Sequence, residues 1–260
     1  PDLEAIEGLE GEATQDPAFG LPALWIAASA QFRAESAGLT VVEPAAVLAT
    51  HLTQVIRSNA PDLLGRAETK MLIDTLRPDN SSLVDEIIPD ILTLGEVQKV
   101  LQNLLREGVP VRNLVVILET LADEGRQVKD TDLLTEIVRE SLARQISQLY
   151  MTAEGHLPAL ALDPQVEEEL VALLNQNGQG GTIPWEPSKA QAFMENLSHE
   201  TRVAMAAGQQ PVLLTPPGLR LPLRRLLARS LPSLPVLSYN EVAPDLSVQI
   251  LGVVGVSHAS

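Results

Sequence analysis

Residues 92–123 read LTLGEVQKVLQNLLREGVPVRNLVVILETLAD, and this stretch decides the fold at the centre of the chain. Thr93 and Glu96 have the spacing of a capping box, in which the hydroxyl and the carboxylate each satisfy a backbone N–H left free by the first helical turn. Leu94, Val97, Val100, Leu101, Leu104 and Leu105 then recur on one face at helical spacing. Gly108 ends that helix. Pro110 fixes the entry to a second, whose face is Val111, Leu114, Val115, Leu118 and Leu121. The pattern predicts a helical hairpin. It carries no nucleophile, paired acid or metal-ligand set, so the residues alone fit a packing module and an interaction surface equally.

Working outward, Pro44 begins a helix to about Ala60. Val47, Leu48, Leu52, Val55 and Ile56 form its expected buried face, with Thr50, Thr53, Gln54 and Arg57 opposite. Further helices are expected over about 63–76, stopped by Pro78; 80–88, stopped by Pro89; 94–107; 111–124; and 131–149, capped by Asp130. Leu101, Leu104, Leu118, Leu121 and Ile137 are the expected core. Ahead of these, residues 1–16 read as an acidic, extended lead-in. Pro17 and Pro22 bracket a turn at Phe19–Gly20–Leu21. A strand or short helix through Trp25, a helix to about Ala37 ended by Gly38, and a strand over Leu39–Val42 follow. Beyond 150, strands at 157–162, 211–215, 236–239 and 248–256 alternate with helices at 164–174, 187–207 and 218–230, around a Gly- and Asn-rich loop at 175–188. Such alternation predicts a small α/β layer domain. The expected fold is therefore mixed α and β and multidomain: an N-terminal α/β remnant (1–62), a central all-α domain (63–149) and a C-terminal α/β domain (150–260).

Composition narrows the function classes. Hydrophobic residues make up 45% and aromatics only 3%, so the core must be aliphatic. There is no cysteine, which excludes disulfides and thiol-based metal or redox chemistry. Net charge is −16. Residues 1–143 hold 24 acids against 11 bases, and residues 144–260 hold 10 against 7. An acidic surface repels phosphates, so nucleic acid and anionic lipid are disfavoured partners. No apolar run approaches the ~20 residues that span a bilayer, and the N-terminus lacks the basic-then-apolar pattern of a signal peptide.

Candidate sites are few. His51 lies at the edge of the expected buried face of its helix, and His156, His199 and His258 are scattered without partners at ligand spacing, so no metal is assigned. Glu167, Glu168 and Glu169 are consecutive and point in different directions on a helix, unlike a general acid/base pair. Arg220, Arg224, Arg225 and Arg229 follow PVLLTPPG. The expected reading is a solvated basic face, available to a protein partner, because the turn lacks a phosphate-cradling glycine pattern. No catalytic residue and no cofactor are assigned.

The central stretch also carries a resemblance. KVLQNLLREGVPVRNL followed by ILETLAD resembles a signature of the FlhA/SctV (FHIPEP) export-gate family of bacterial type III secretion. So do DPAFGLPALWI (16–26), VVEPAAVLATHL (41–52), LLGRAE (63–68) and KDTDLLTEIVRESLARQI (129–146). PVLLT, LRLPLRRLLARSLP and VLS match more loosely, and ATHL resembles the flagellar branch. The resemblance implies the soluble cytoplasmic-side portion of a longer inner-membrane protein, with some strands of that portion preceding residue 1. It implies a non-enzymatic docking platform that receives flagellar export chaperones with their bound substrates, meets other export-apparatus proteins and forms a ring of nine. It also implies that Asp16, Phe19 and Thr50 contribute to a shallow chaperone-binding depression. From the residues alone, Phe19 fits a local core plug as well. Two other classes stand beside this one: a small-molecule enzyme with its site near Pro216–Arg220, and a plain helical scaffold.

Overall fold

In the computed structural model, which describes residues 9–16, 22–177 and 183–256, the chain divides into two units, 1–64 and 65–260. In the first, β1 (Gly11–Gln15) pairs antiparallel with β2 (Pro22–Ile26), placing Gly11 opposite Ile26. A 3-10 turn at Ala28–Ala30 leads into α1 (Gln31–Ser36), and Gly38 then adopts φ +79°, a conformation that suits a residue without Cβ. Leu39–Val42 is not the expected strand. It has apolar, β-branched character but no ladder partner among the described residues, and a lone strand leaves its backbone groups unpaired. Helix α2 (Pro44–Ser58) starts on its proline as expected and is followed by the single turn α3 (Ala60–Leu63). No residue of α2 is buried: Leu48 is 67% exposed, Leu52 55% and Ile56 50%. The expected buried face is therefore a helical stripe that, among the described residues of the first unit, stays exposed. Periodicity states which side chains share a face and leaves open what lies against it.

The second unit opens with α4 (Arg66–Asp74) and α5 (Arg77–Ile87). Pro78, expected as a stop, instead sits in the first turn of α5, where its missing N–H is no loss. Helix α6 (Leu94–Arg106) carries the capping box: Thr93 N donates to Glu96 Oε2 at 2.7 Å, and Glu96 N donates to Thr93 Oγ1 at 3.3 Å. Gly108 closes it at φ +71°. Helix α7 (Leu114–Glu124) begins three residues later than expected. Helix α8 (Thr131–Ser141) is capped by Asp130, which accepts from Asp132 N and Leu133 N. The single helix expected over 131–149 breaks at Leu142 (φ −93°, ψ 12°) and continues as α9 (Ala143–Tyr150). Leu101, Leu104, Leu118 and Leu121 are fully buried, and Leu134 and Val138 join them. Ile137 is only half-buried. The inward face of α8 is Leu134, Thr135, Val138 and Arg139, which leaves Ile137 at its edge.

Next come β3 (His156–Leu162), α10 (Pro164–Asn177), α11 (Pro187–Ala206), β4 (Val212–Thr215), α12 (Pro217–Leu227), β5 (Val236–Ser238), a 3-10 turn at Tyr239–Glu241, and β6 (Ser247–Val254). Of the expected loop at 175–188, the first residues extend α10 to Asn177, and 178–182 lie outside the described residues. The four strands form one parallel sheet in the order β5-β4-β3-β6. Central strands β3 and β4 are almost continuously apolar, as strands covered on both faces require. Phe193, Leu197, Leu219 and Leu223 from α11 and α12 pack with Leu160 and Leu213 of the sheet.

Candidate functional site

Two regions carry the candidate residues. In the first unit, Asp16 follows β1 and is half-buried, while Thr50 lies midway along α2 and is exposed. Phe19 lies outside the described residues. On α2, Thr50 shares the polar side with Thr53, whose Oγ1 donates to Ala49 O at 2.8 Å. The apolar stripe of Leu48, Leu52, Val55 and Ile56 occupies the other side. His51 is exposed, so it belongs to no core.

In the second unit, the arginines do not form the expected solvated face. Arg220 has no exposed surface. It donates from Nη1 and Nη2 to Glu107 at 2.7 and 3.1 Å, and from Nε and Nη2 to Glu136. Glu107 caps the C-terminus of α6 and Glu136 projects from α8, so this one side chain of α12 ties the α/β half to two helices of the helical half. Arg139 of α8 makes the reverse connection, donating from Nε and Nη2 to Glu241 at 2.7 and 3.0 Å. Glu241 in turn accepts from Ser238 N, and its carbonyl accepts from Ser147 Oγ of α9. Arg225 is exposed and pairs with Asp132; Arg224 is half-buried; Arg229 is exposed beyond the end of α12. Acidic partners on the helical half thus draw the first arginine inward, where fork-shaped bidentate pairing compensates its desolvation.

Electrostatics follow from burial and pairing. Burial is the largest influence on Glu107 and pushes its carboxyl upward. The charges of Arg139 and Arg220, with the Arg220 hydrogen bond, outweigh it and hold Glu107 below the usual carboxylate range. At Glu136 burial prevails over Arg220, and the carboxyl is raised. Arg139 and Arg220 lose solvation too, but their glutamates hold both guanidiniums firmly charged. Glu107, Glu136, Arg139 and Glu241 are not among the candidates that sequence spacing singles out. A signal existed for one of them: Arg139 falls at i+4 from Thr135, on the side of α8 that Leu134 and Val138 mark as inward.

A cavity of about 260 Å³ lies beside this network, among Glu107, Arg139, Tyr150, Arg224, Ser233 and their neighbours. Among the described residues, no group of three or more His, Asp or Glu side chains is placed to hold a metal ion. Nor is any helix among them long and apolar enough to cross a membrane.

The mixed helical and α/β architecture is shared with solved structures of type III secretion proteins. The structure superposes on that of the Chlamydia pneumoniae CdsV protein with a TM-score of 0.80 and 28% identity, over 91% of this chain and 68% of that one. It superposes on the nonameric EPEC SctV-C structure with a TM-score of 0.75 and 28% identity, over 87% and 68%. The chain belongs to the FHIPEP family, whose model matches residues 2–247. It is 40% identical to the flagellar biosynthesis protein FlhA of Bacillus subtilis over 256 residues, and 39% identical to that of Yersinia enterocolitica over 253. These alignments take in 98% and 97% of this chain but 37% and 36% of those proteins, so the chain spans little more than a third of the curated relatives' length.

Proposed function

We propose that this chain is a non-enzymatic docking platform of the flagellar type III protein export gate. It receives export chaperones with their bound substrates and helps pass the substrates to the export channel. Membership of the FHIPEP family, with about 40% identity to FlhA proteins, supports this reading. Chaperone docking falls to a surface that includes Asp16, Phe19 and Thr50, and the exposure of Thr50 on the polar side of α2 is the observation that carries it. Docking by moderate contacts suits a platform that must also release, with affinity recovered when several copies present sites together. Self-association into a ring and contact with other export-apparatus proteins belong to the same proposal; a nonameric SctV-C and a CdsV–CdsO complex among the structural relatives support them.

Calorimetric titration of the chain with a flagellar export chaperone carrying its substrate tests the proposal. Phe19→Ala is expected to weaken binding by about 1–3 kcal/mol with little change in melting temperature. Unchanged affinity together with a sharp fall in melting temperature overturns the site and makes Phe19 a core plug.

A further inference from the structure

The two edges of the parallel sheet are built differently. Edge strand β5 has three residues, all buried, and follows Pro232 and Pro235. Edge strand β6 has eight, Ser247–Val254, with neither charge nor proline. Strand β3 occupies one side of β6, and among the described residues no strand lies on the other. A strand directs backbone N–H and C=O groups to both sides, so β6 offers an unpaired row of them. Short length, proline and charge ordinarily blunt such an edge. Strand β5 has the first two. Strand β6 has none of them, only one bulge, where Leu251 interrupts the register with β3.

The two faces of β6 differ as well. Val248, Ile250 and Val253 register with Leu157, Ala159 and Ala161 of β3, while Gly252 and Val254 register with Leu160 and Leu162. Residues in register share a face of the sheet. Leu160 and Leu162 face the core that α11 packs on, so Val248, Ile250 and Val253 point away from it, and they are 37%, 50% and 54% exposed. On the α11 face, Glu200 lies over Gly252: its Oε2 stands 2.6 Å from the position a Cβ there would take. Glu200 is half-buried and has no hydrogen bond or ion pair among the described residues. A carboxylate partly withdrawn from water without a counter-charge favours a cation beside it.

We propose that the outer edge of β6 receives an extended segment of a partner protein as a fifth strand. That segment is apolar on the face of Val248, Ile250 and Val253 and carries a lysine or arginine on the face of Glu200. Backbone pairing along the edge supplies the affinity, and the two faces supply the selectivity. A second copy of this chain fits poorly. Pairing β6 with β6 about a twofold axis sets both Glu200 carboxylates on one face of the joined sheet, between chains of net charge −16. Strand β6 belongs to the second unit, whereas Asp16 and Thr50 belong to the first, so this is a further docking surface beside the one proposed for chaperones.

Fluorescence anisotropy of the whole chain with an end-capped heptapeptide of alternating Lys and Val tests this. The peptide is expected to bind saturably and to slow amide hydrogen exchange within 247–254. Its counterpart of alternating Glu and Val is expected not to bind. Glu200→Gln should weaken binding of the Lys peptide about fivefold, as losing an ion pair half in water does. Glu119→Gln, which removes the same charge from an exposed position on α7, should bind as the parent does. Ile250→Lys places a charge on the edge itself and should abolish binding with the melting temperature nearly unchanged. Equal loss from Glu200→Gln and Glu119→Gln, or protection that misses 247–254, reduces the effect to attraction by overall charge and overturns the proposal. So does a parent dimer in sedimentation that Ile250→Lys dissociates, because β6 then pairs with a second copy. Should Ile250→Lys not fold, the near-isosteric Glu200→Gln decides: a folded variant that binds normally overturns the proposal.

Discussion

Arg139 and Arg220 head the fully buried side chains by volume, and each is held by a glutamate on the other half of the second unit. Breaking such a pair leaves a charge buried without its partner, and this costs more than the intact pair contributes. Glu107→Gln is therefore expected to lower unfolding free energy by about 3 kcal/mol at neutral pH, read by denaturant titration. The deficit has a pH signature. Because the folded carboxyl of Glu107 is held below its ordinary value, its stabilisation is complete above the ordinary carboxylate range. That stabilisation is lost as pH falls through the depressed folded value. Parent and Glu107→Gln should converge in stability on acidification. Glu136, raised by burial, has the opposite sign: its protonation on acidification relieves a desolvated charge, so stability attributable to it falls as pH rises through its folded value.

Among the helices, α6 and α2 obey the same period and meet opposite fates. Helix α6 has its cap formed and its stripe of Val97, Val100, Leu101 and Leu104 fully buried. Thr93→Ala removes the side-chain acceptor at its N-terminus and should cost about 1 kcal/mol, measured by chemical unfolding. Helix α2 has an equally regular stripe that stays exposed. Large exposed apolar stripes mark contact surfaces or aggregation liabilities. Leu52→Gln with Ile56→Gln should therefore leave the melting temperature nearly unchanged while lowering binding of a hydrophobic dye such as ANS. A sharp drop in stability would instead mean that the stripe is covered in solution.

At the scale of the whole molecule, the two units differ in how much they bury. Among the described residues of the first, only Ala34, Pro61 and Leu64 are buried, whereas the second buries aliphatic side chains throughout its helical and α/β halves. Local opening free energy follows buried apolar contact. Amide hydrogen exchange should be fast through β1, β2 and α2 and slowest in α6, α7, β3 and β4. Comparable protection in both units would contradict that ordering.

The sequence alone determined the local elements wherever the signal was local. Thr93 with Glu96 placed the start of α6, Gly38 and Gly108 placed helix ends, and apolar runs bounded by Pro and Gly placed all four strands of the parallel sheet. Caps, turns and period act within a few residues, so a linear reading sees them. The same motifs carried the family. Only the tertiary structure decided what the faces meet: that the stripe of α2 is exposed within the first unit, that Leu39–Val42 has no ladder partner among the described residues, and that α8 breaks at Leu142. It also decided that Arg220 turns inward. Its partners lie 84 and 113 residues away in the chain, and no spacing rule reaches that far. A charge reads as surface in sequence because isolated burial is costly; it goes inside only where the fold brings opposite charges to it.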